Sequence, residues 1–530
     1  MVTQGDANGF FLYLCAMFVR KKRNRSGTTT IVVVSKRHGG FIEVKNFGTA
    51  STENEVTALY SKAQHWLKTN GNQLSLDFED IKGRERDETQ RVLDNLDSVL
   101  INGTQLLLSQ VYDSIGFSRI PDEVLRHLAI ARVSQPRSKL ATVSYLKSYY
   151  DEDVDLNQIY RYMDKLYNTQ RELVQQISVE HTQKVLGGKI GLLFYDVTTL
   201  YFQTSRTDVL REPGFSKDGK TSESQVVLGL LVSEGGYPLS YSLFNGKQYE
   251  GFTMIPIIDD FRQRFDIGDD FVVVADSGLM NSDNIKLLRD AGYKYIIGGK
   301  IRNEQKSVKD WILSKEKTDG KFFEKRRENG ERLIVGYSKE RAKKDAYNRE
   351  RGVERLRKAY GNGTLTKAQV NKRGYNKFLE ISKDIKVVIS EDRIAEDAKW
   401  DGLKGYVTNT DLKAKEVIDQ YHGLWVVEKA FRIGKGTLEM RPMFHFTERR
   451  IEAHVCICFV AYKMYKELER IIKIAKIELS VDKVLDIAKT ITTIRVNMPE
   501  NREVYTRTLF LTEPQKTIEP LFWLTDGKTS

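Results

Sequence analysis

Residues 189–202 read KIGLLFYDVTTLYF, a near-continuous apolar run of strand length into which one carboxylate, Asp196, is set. Runs of this kind form strands buried on both faces. Working outward, SQVVLGLLVSEGGYPLSYSLF (224–244) predicts a hairpin turning at Glu234, Gly235 and Gly236, and TMIPIIDDFRQRF (253–265) predicts a helix. FVVVADSGL (271–279) is a further buried strand, NSDNIKLLRDAG (281–292) a capped helix and YKYIIGG (293–299) another strand. The order β-β-β-α-β-α-β predicts an α/β fold: a mixed sheet, three antiparallel strands followed by crossover units, with helices packed on its faces.

The flanks have different textures. Residues 1–50 alternate β-rich runs with turn signals (FFLYLCAMFV, RKKRNRSG, TTTIVVVSK, RHGG, FIEVKNF) and predict a β-meander. Its first turn would carry Arg20, Lys21, Lys22, Arg23 and Arg25, either as a phosphate-contacting loop or as a solvated hairpin tip. Residues 51–185 take helical period and are read as a DNA-binding region. Two helices there, 137–150 and 156–168, fit either a structural bundle or a helix-turn-helix that exposes Gln158, Arg161 and Lys165. Residues 186–300 form the first part of the core, and 301–410 form a basic, β-rich insertion. Between Lys321 and Tyr360 the insertion holds 14 Lys/Arg against 7 Asp/Glu. Residues 411–450 resume the core with a strong helical pattern, and 451–530 are read as a helical C-terminus.

Composition narrows the function classes. The 530 residues are 40% hydrophobic and 29% charged, which excludes a disordered chain and requires several globular units. Three cysteines, Cys15, Cys456 and Cys458, are too few for a disulfide framework, and a reducing cytoplasm is expected. No apolar stretch reaches the roughly 20 residues of a membrane span, and residues 10–19 lack the basic flank of a secretory signal. The net charge of +12 points to nucleic acid.

Three acids occupy positions where apolar residues belong. A carboxylate within or at the end of a buried strand is costly unless it is hydrogen-bonded or binds a cation, which singles out Asp196 and Asp276. Each alone also fits a capping role. The helix from about Glu416 to Ile433 aligns Tyr421, Leu424 or Trp425, Glu428, and Phe431 or Arg432 at spacings of three or four, which predicts an inward-facing Glu428. Two aspartates and a glutamate form a hard, oxygen-only set suited to Mg²⁺ or Mn²⁺. Two such ions about 4 Å apart activate a water or a 3′-hydroxyl for in-line attack at a phosphodiester.

FYDVTTLYF (194–202), VVVADSGLMN (272–281) and YHGLWVVEKAFRIGK (421–435) resemble the three acidic motifs of DDE insertion-sequence transposases of the insertion-sequence-4 type. The resemblance runs from about Leu192 to His445 and includes GFSKDGK (214–220) and LEMRPMFH (438–445). It implies an RNase H-like catalytic core with a β-rich insertion before the glutamate. It also implies a helix motif Y-x2-R-x3-E-x6-K, which this chain meets at Tyr421, Glu428 and Lys435 but not at Leu424, where the family has arginine; Arg432 is the substitute in reach. The separations, 80 residues from Asp196 to Asp276 and 152 from there to Glu428, leave room for the insertion. By this resemblance Asp196, Asp276 and Glu428 hold two Mg²⁺ or Mn²⁺ ions, and Tyr421, Lys435 and Arg432 contact DNA; Arg441 and His445 are read either as DNA contacts or as helix-end caps, and Lys217 and Lys220 as a DNA-binding basic loop beside the active site. The partners implied are terminal inverted repeats and target DNA, bound by a homodimer on paired ends. The activity implied is strand cleavage and transfer in a bacterial cytoplasm, at the nucleoid. An inactive or repurposed DNA-binding relative and a host structure-selective nuclease are the alternatives.

Other signals are discounted. Gly214–Thr221 satisfies the Walker A pattern, but a β run follows it where a P-loop requires a helix. Cys456 and Cys458, two apart on a helix, diverge by about 200° and read as core residues. Phe323, Tyr337 and Trp400 are offered as base-stacking aromatics, with a place in the insertion's own core as the other reading.

Overall fold

The computed structural model describes residues 17–37, 40–70, 86, 88–215, 222–265, 267, 270–279, 282–363, 366, 369–371, 374–381, 387–498 and 503–523. Two compact units divide the chain: 1–96 with 496–504, and 97–495 with 505–530.

In the first unit, strands β1 (Met17–Arg23), β2 (Thr29–Arg37) and β3 (Gly40–Ala50) form an antiparallel meander in that order. The helix Glu53–Asn70, expected to open a helical region, instead packs on this sheet. Ala63, Val56, Leu59 and Trp66 cover Ile31 and Val33. The basic cluster also differs from expectation: Arg20–Arg23 pair along β1 with Ile31, Thr30 and their neighbours, so only Arg25 belongs to the turn. Most of the run at 10–19, with Cys15, lies outside the described residues.

The second unit begins with strand β4 (Leu96–Leu100) and continues in helices, among them Glu123–Ser134, Lys139–Tyr145, Leu156–Lys165 and Arg171–Val185. The helix Leu156–Lys165 buries Ile159, Tyr162 and Met163 in the main core, leaving Arg161 and Lys165 exposed, the latter paired with Asp122 at 2.9 Å.

The catalytic sheet has eight strands. β5 (Leu192–Tyr201), β6 (Gln225–Ser233) and β7 (Pro238–Asn245) are antiparallel neighbours. β8 (Val272–Ala275) runs parallel to β5, and β9 (Lys294–Gly299) parallel to β8. The order β7-β6-β5-β8-β9 is that of an RNase H-like sheet. The insertion does not stand apart from it: β10 (Phe322–Arg326), β11 (Arg332–Tyr337) and β14 (Leu403–Thr408) extend the same sheet beyond β9. Only the stretch between β11 and β14, with its helix Lys339–Gly361 and the short pair β12 (Leu379–Ile381) and β13 (Val387–Ile389), has a small core of its own, around Val353, Leu356, Phe378 and Leu379. Phe323, Tyr337 and Trp400 pack against the sheet's second core, Phe323 edge-on to Trp311 at 5.3 Å, so they fill the fold rather than await bases.

One face of the sheet meets the helix Glu448–Ile474, which is buried along most of its length. Cys456 and Cys458 are core thiols there, and burial pushes Cys456 up to about 12. A polar network ties this helix to Arg171–Val185. Lys463 Nζ donates to Ser178 O and Thr182 Oγ1, and Glu467, fully buried, receives the Tyr237 hydroxyl and the Arg470 guanidinium and lies 3.5 Å from His181. The C-terminal region, largely helical, also contains β15 (Thr492–Asn497) and β16 (Val504–Leu509), where β-branched residues favour extension. Among the described residues no helix is long and apolar enough to cross a membrane.

Candidate active site

Strand register brings the two aspartates together. β5 and β8 are parallel neighbours with Leu192 opposite Val272 and Tyr195 opposite Ala275. Asp196 and Asp276 therefore occupy the next position on strands about 4.8 Å apart. Asp276 stands just past the end of β8, where its Oδ2 accepts from Gly278 N at 3.3 Å, and Asp196 Oδ1 accepts from Val197 N at 2.8 Å. Alternation along the strands puts both carboxylates on the face that buries Phe194 and Val274.

The same face carries the glutamate. The expected single helix is two, Ala414–His422 and Trp425–Lys435, parted at Gly423 and Leu424. Gly423 permits the close approach: a Cβ there would lie 2.7 Å from the Phe194 ring. Tyr421, buried, donates its hydroxyl to Asp276 Oδ1 at 2.9 Å, in a space kept open by Gly298 of β9, whose Cβ would meet that hydroxyl at 2.6 Å. Burial raises the Tyr421 pKa, and the negative charges of Asp276 and Glu428 raise it further, so the phenol stays protonated as a donor.

Glu428 is not the inward residue that the spacing predicted. The buried stripe of its helix is Val427, Ala430, Ile433 and Gly434, and Leu424 before it is buried as well. Glu428 and Arg432 are exposed, as is Trp425 at 56%. The glutamate thus lies on the open side of the helix, its charge felt by Tyr421 and by Lys404. Among the described residues no three His, Cys, Asp or Glu side chains are gathered closely enough to hold a metal ion. The donor set nonetheless fits a hard divalent cation: two adjacent carboxylates, with a third on the same face and no thiol or imidazole among them.

Lys404 went unrecognised in the sequence. It lies on β14 two residues before Tyr406, and its Nζ sits 4.4 Å from the centre of the Tyr421 ring, in cation–π contact. Burial lowers its pKa, and Arg341 lowers it further, against the opposing pull of Asp276 and Glu428. The available signal was a lysine in register with a core tyrosine in LKGYVT.

The remaining predicted residues are dispersed. Lys435, half-buried, lines a small cavity with Thr198, two residues beyond Asp196. The Arg441 guanidinium lies 5.4 Å from the Tyr201 ring centre at the end of β5, where Met443 N donates to Tyr201 O at 3.1 Å. The His445 ring packs on His454 at 5.1 Å, and burial with nearby Lys139 and Arg132 lowers its pKa to about 3, leaving it neutral. Lys217 and Lys220 lie outside the described residues. The Walker-like segment precedes a strand, β6.

An RNase H-like sheet with paired aspartates at neighbouring strands, and a glutamate helix on the same face, defines a class of phosphoryl-transfer enzymes acting on nucleic acid. The chain matches the Transposase DDE domain family over residues 187–464, just over half its length, and belongs to that family. It is a DNA transposase of the DDE class, a family whose members generally use divalent metal ions. A solved structure of a piggyBac transposase synaptic complex with hairpin DNA aligns with 69% of this chain and 70% of its own, at 9% identity and a TM-score of 0.38. No curated protein matches the chain.

Proposed function

We propose that this transposase binds the terminal inverted repeats of an insertion sequence of the insertion-sequence-4 type, cleaves the strand at each end and joins the freed 3′ ends to target DNA. Asp196, Asp276 and Glu428 would hold two Mg²⁺ or Mn²⁺ ions. When bound, such ions supply Lewis-acid activation of the attacking water or 3′-hydroxyl and neutralise charge on the leaving oxygen. The chain's own residues do the rest. Tyr421 fixes the rotamer of Asp276 through its hydroxyl, and Lys404 offers a partly desolvated cation to the non-bridging phosphate oxygens. Lys435, Arg432 and Arg441 steer the backbone toward the cut.

The observation that carries this reading is the register of β5 on β8, which sets Asp196 beside Asp276. Glu428, carried on the same face of the sheet by the Trp425–Lys435 helix, would complete the ligand set. A homodimer on paired ends follows from the need to join two ends in one event. The test incubates purified protein with end-labelled element DNA and Mg²⁺. Nicking that Asp196→Asn or Glu428→Gln abolishes is the expected result; tight binding without nicking in any divalent metal marks an inert DNA-binding relative instead.

A further inference from the structure

Away from the acids, four basic side chains from four elements of the chain converge beneath a short surface segment. Arg132 comes from the helix Glu123–Ser134, Lys139 from the helix Lys139–Tyr145, His445 from the segment after Met443, and His454 from the helix Glu448–Ile474. Arg132, Lys139 and His454 are 7%, 6% and 5% exposed. Each raises the cost of charge on the others: burial first, then Arg132, brings Lys139 down to about 7, while Lys139 and Arg132 both lower His445 and His454.

Their internal partners are few. Among the described residues Arg132 Nη2 reaches only the Arg137 carbonyl, at 3.4 Å, His454 Nε2 is 3.3 Å from Met440 O and 3.8 Å from Cys458 Sγ, and His454 Nδ1 is buried with no partner. Among the described residues neither Lys139 nor Arg132 is paired with a carboxylate. Other buried cations are compensated, as Arg211 is by Asp208 at 2.7 Å and Lys463 by two oxygens. A buried ammonium without an acid is expensive, so the cluster is complementary to an anion supplied from outside.

Access and position indicate which anion. Phe444 and Phe446, each 61% exposed, flank His445, so one surface segment separates the cluster from solvent. That segment continues from Met443, which bridges to Phe202 at the far end of the strand bearing Asp196. Six residues of strand put it about 20 Å from Asp196, or roughly six base pairs of duplex.

We propose that Arg132, Lys139, His445 and His454 form a phosphate-binding site, filled in the working protein by a backbone phosphate of duplex DNA held about six base pairs from the cut. The proposal takes DNA as the source from the function above; the phosphate chemistry stands without it.

The test melts full-length protein in inorganic phosphate and in chloride of equal ionic strength. It uses the wild type, Lys139→Met and His445→Gln. Phosphate at tenfold its Kd is expected to raise the wild-type Tm by about 2 °C. Lys139→Met is expected to lose that rise while melting no lower than the wild type in chloride, and His445→Gln to reduce it. A second arm measures duplex binding against salt: loss of about one unit of slope in Lys139→Met assigns the phosphate to DNA, whereas an unchanged slope with a lost Tm rise assigns it to a free phosphate and overturns the DNA assignment. No phosphate-specific rise in the wild type, or a Lys139→Met protein that unfolds in chloride, overturns the site itself. Loss of nicking activity moves neither readout, so failure of the catalytic reading is separable from failure of this one.

Discussion

Two groups of carboxylates in the second unit are treated in opposite ways. Around Glu467 and Glu469, on the helix Glu448–Ile474, each acid is matched from within: Glu467 by His181, Tyr237 and Arg470, and Glu469 by Lys429 and Lys466. Burial alone would raise both acids, but these partners hold them down at about 2. At the ends of β5 and β8, Asp196 and Asp276 stand on adjacent strands, and Glu428 faces outward on the same side. Lys404 is the cation whose field both Asp276 and Glu428 share. Acids matched from within hold helices together, whereas Asp276 and Glu428, both exposed, can be reached by cations and substrate.

That contrast breaks most visibly under charge removal. Asp196→Asn or Asp276→Asn is expected to lower strand cleavage by about 10³-fold or more, equivalent to about 4 kcal/mol of transition-state stabilisation, with little change in Tm. Gel assays of labelled ends together with thermal melting check both halves; a variant that cuts normally would remove that aspartate from the chemistry.

Glu467→Gln is expected to do the reverse. Its loss strands His181 and Arg470 in the interior and costs about 3 kcal/mol in denaturant unfolding. Its titration sharpens the point. The folded pKa of about 2 lies below the ordinary 4.5, so the stabilisation is complete above 4.5 and disappears as pH falls through 2. Acid unfolding of Glu467→Gln is expected to show a shallower pH dependence over that window; an unchanged slope would show that the network contributes nothing.

Lys404→Met comes next in size. We expect about tenfold slower cleavage, or about 1.4 kcal/mol, with no loss of stability, because the substitution also removes a partly buried charge. Lys404→Arg is expected to recover part of the rate, and equal rates for Met and wild type would exclude a role at the phosphate. The smallest effect belongs to Tyr421→Phe, about 1 kcal/mol in the cleavage rate through a less constrained Asp276. An equal loss in melting stability and no loss of rate would make the hydroxyl purely structural.

The sequence makes the sheet legible where burial dictates composition. β5, β6, β8 and β9 are runs of Val, Ile and Leu long enough to identify, and each aspartate is conspicuous as the polar interruption. Register is not written in such runs, so the adjacency of Asp196 and Asp276 awaited coordinates. Glu428 was misplaced for a related reason. Spacings of three and four fit both the buried stripe, Leu424–Val427–Ala430, and the open one, Trp425–Glu428–Arg432, and the tryptophan biased the choice. In sequence Lys404 lies within the basic stretch 301–410, where one more lysine carries no signal. Sheet pairing across 100 residues of sequence changed that meaning.

The pairing of Tyr337 with Leu403, and of Ser338 N with Gly402 O at 3.0 Å, brings the outgoing and returning chain to one spot on the sheet. What hangs between them leaves and rejoins the sheet at one place, with the Arg302–Asp397 ion pair and Trp400 tying it back to the sheet. Its span can therefore lengthen, shrink or be exchanged for a short hairpin while the aspartate strands and the glutamate helix keep their places. The stretch is a natural point for grafting or trimming.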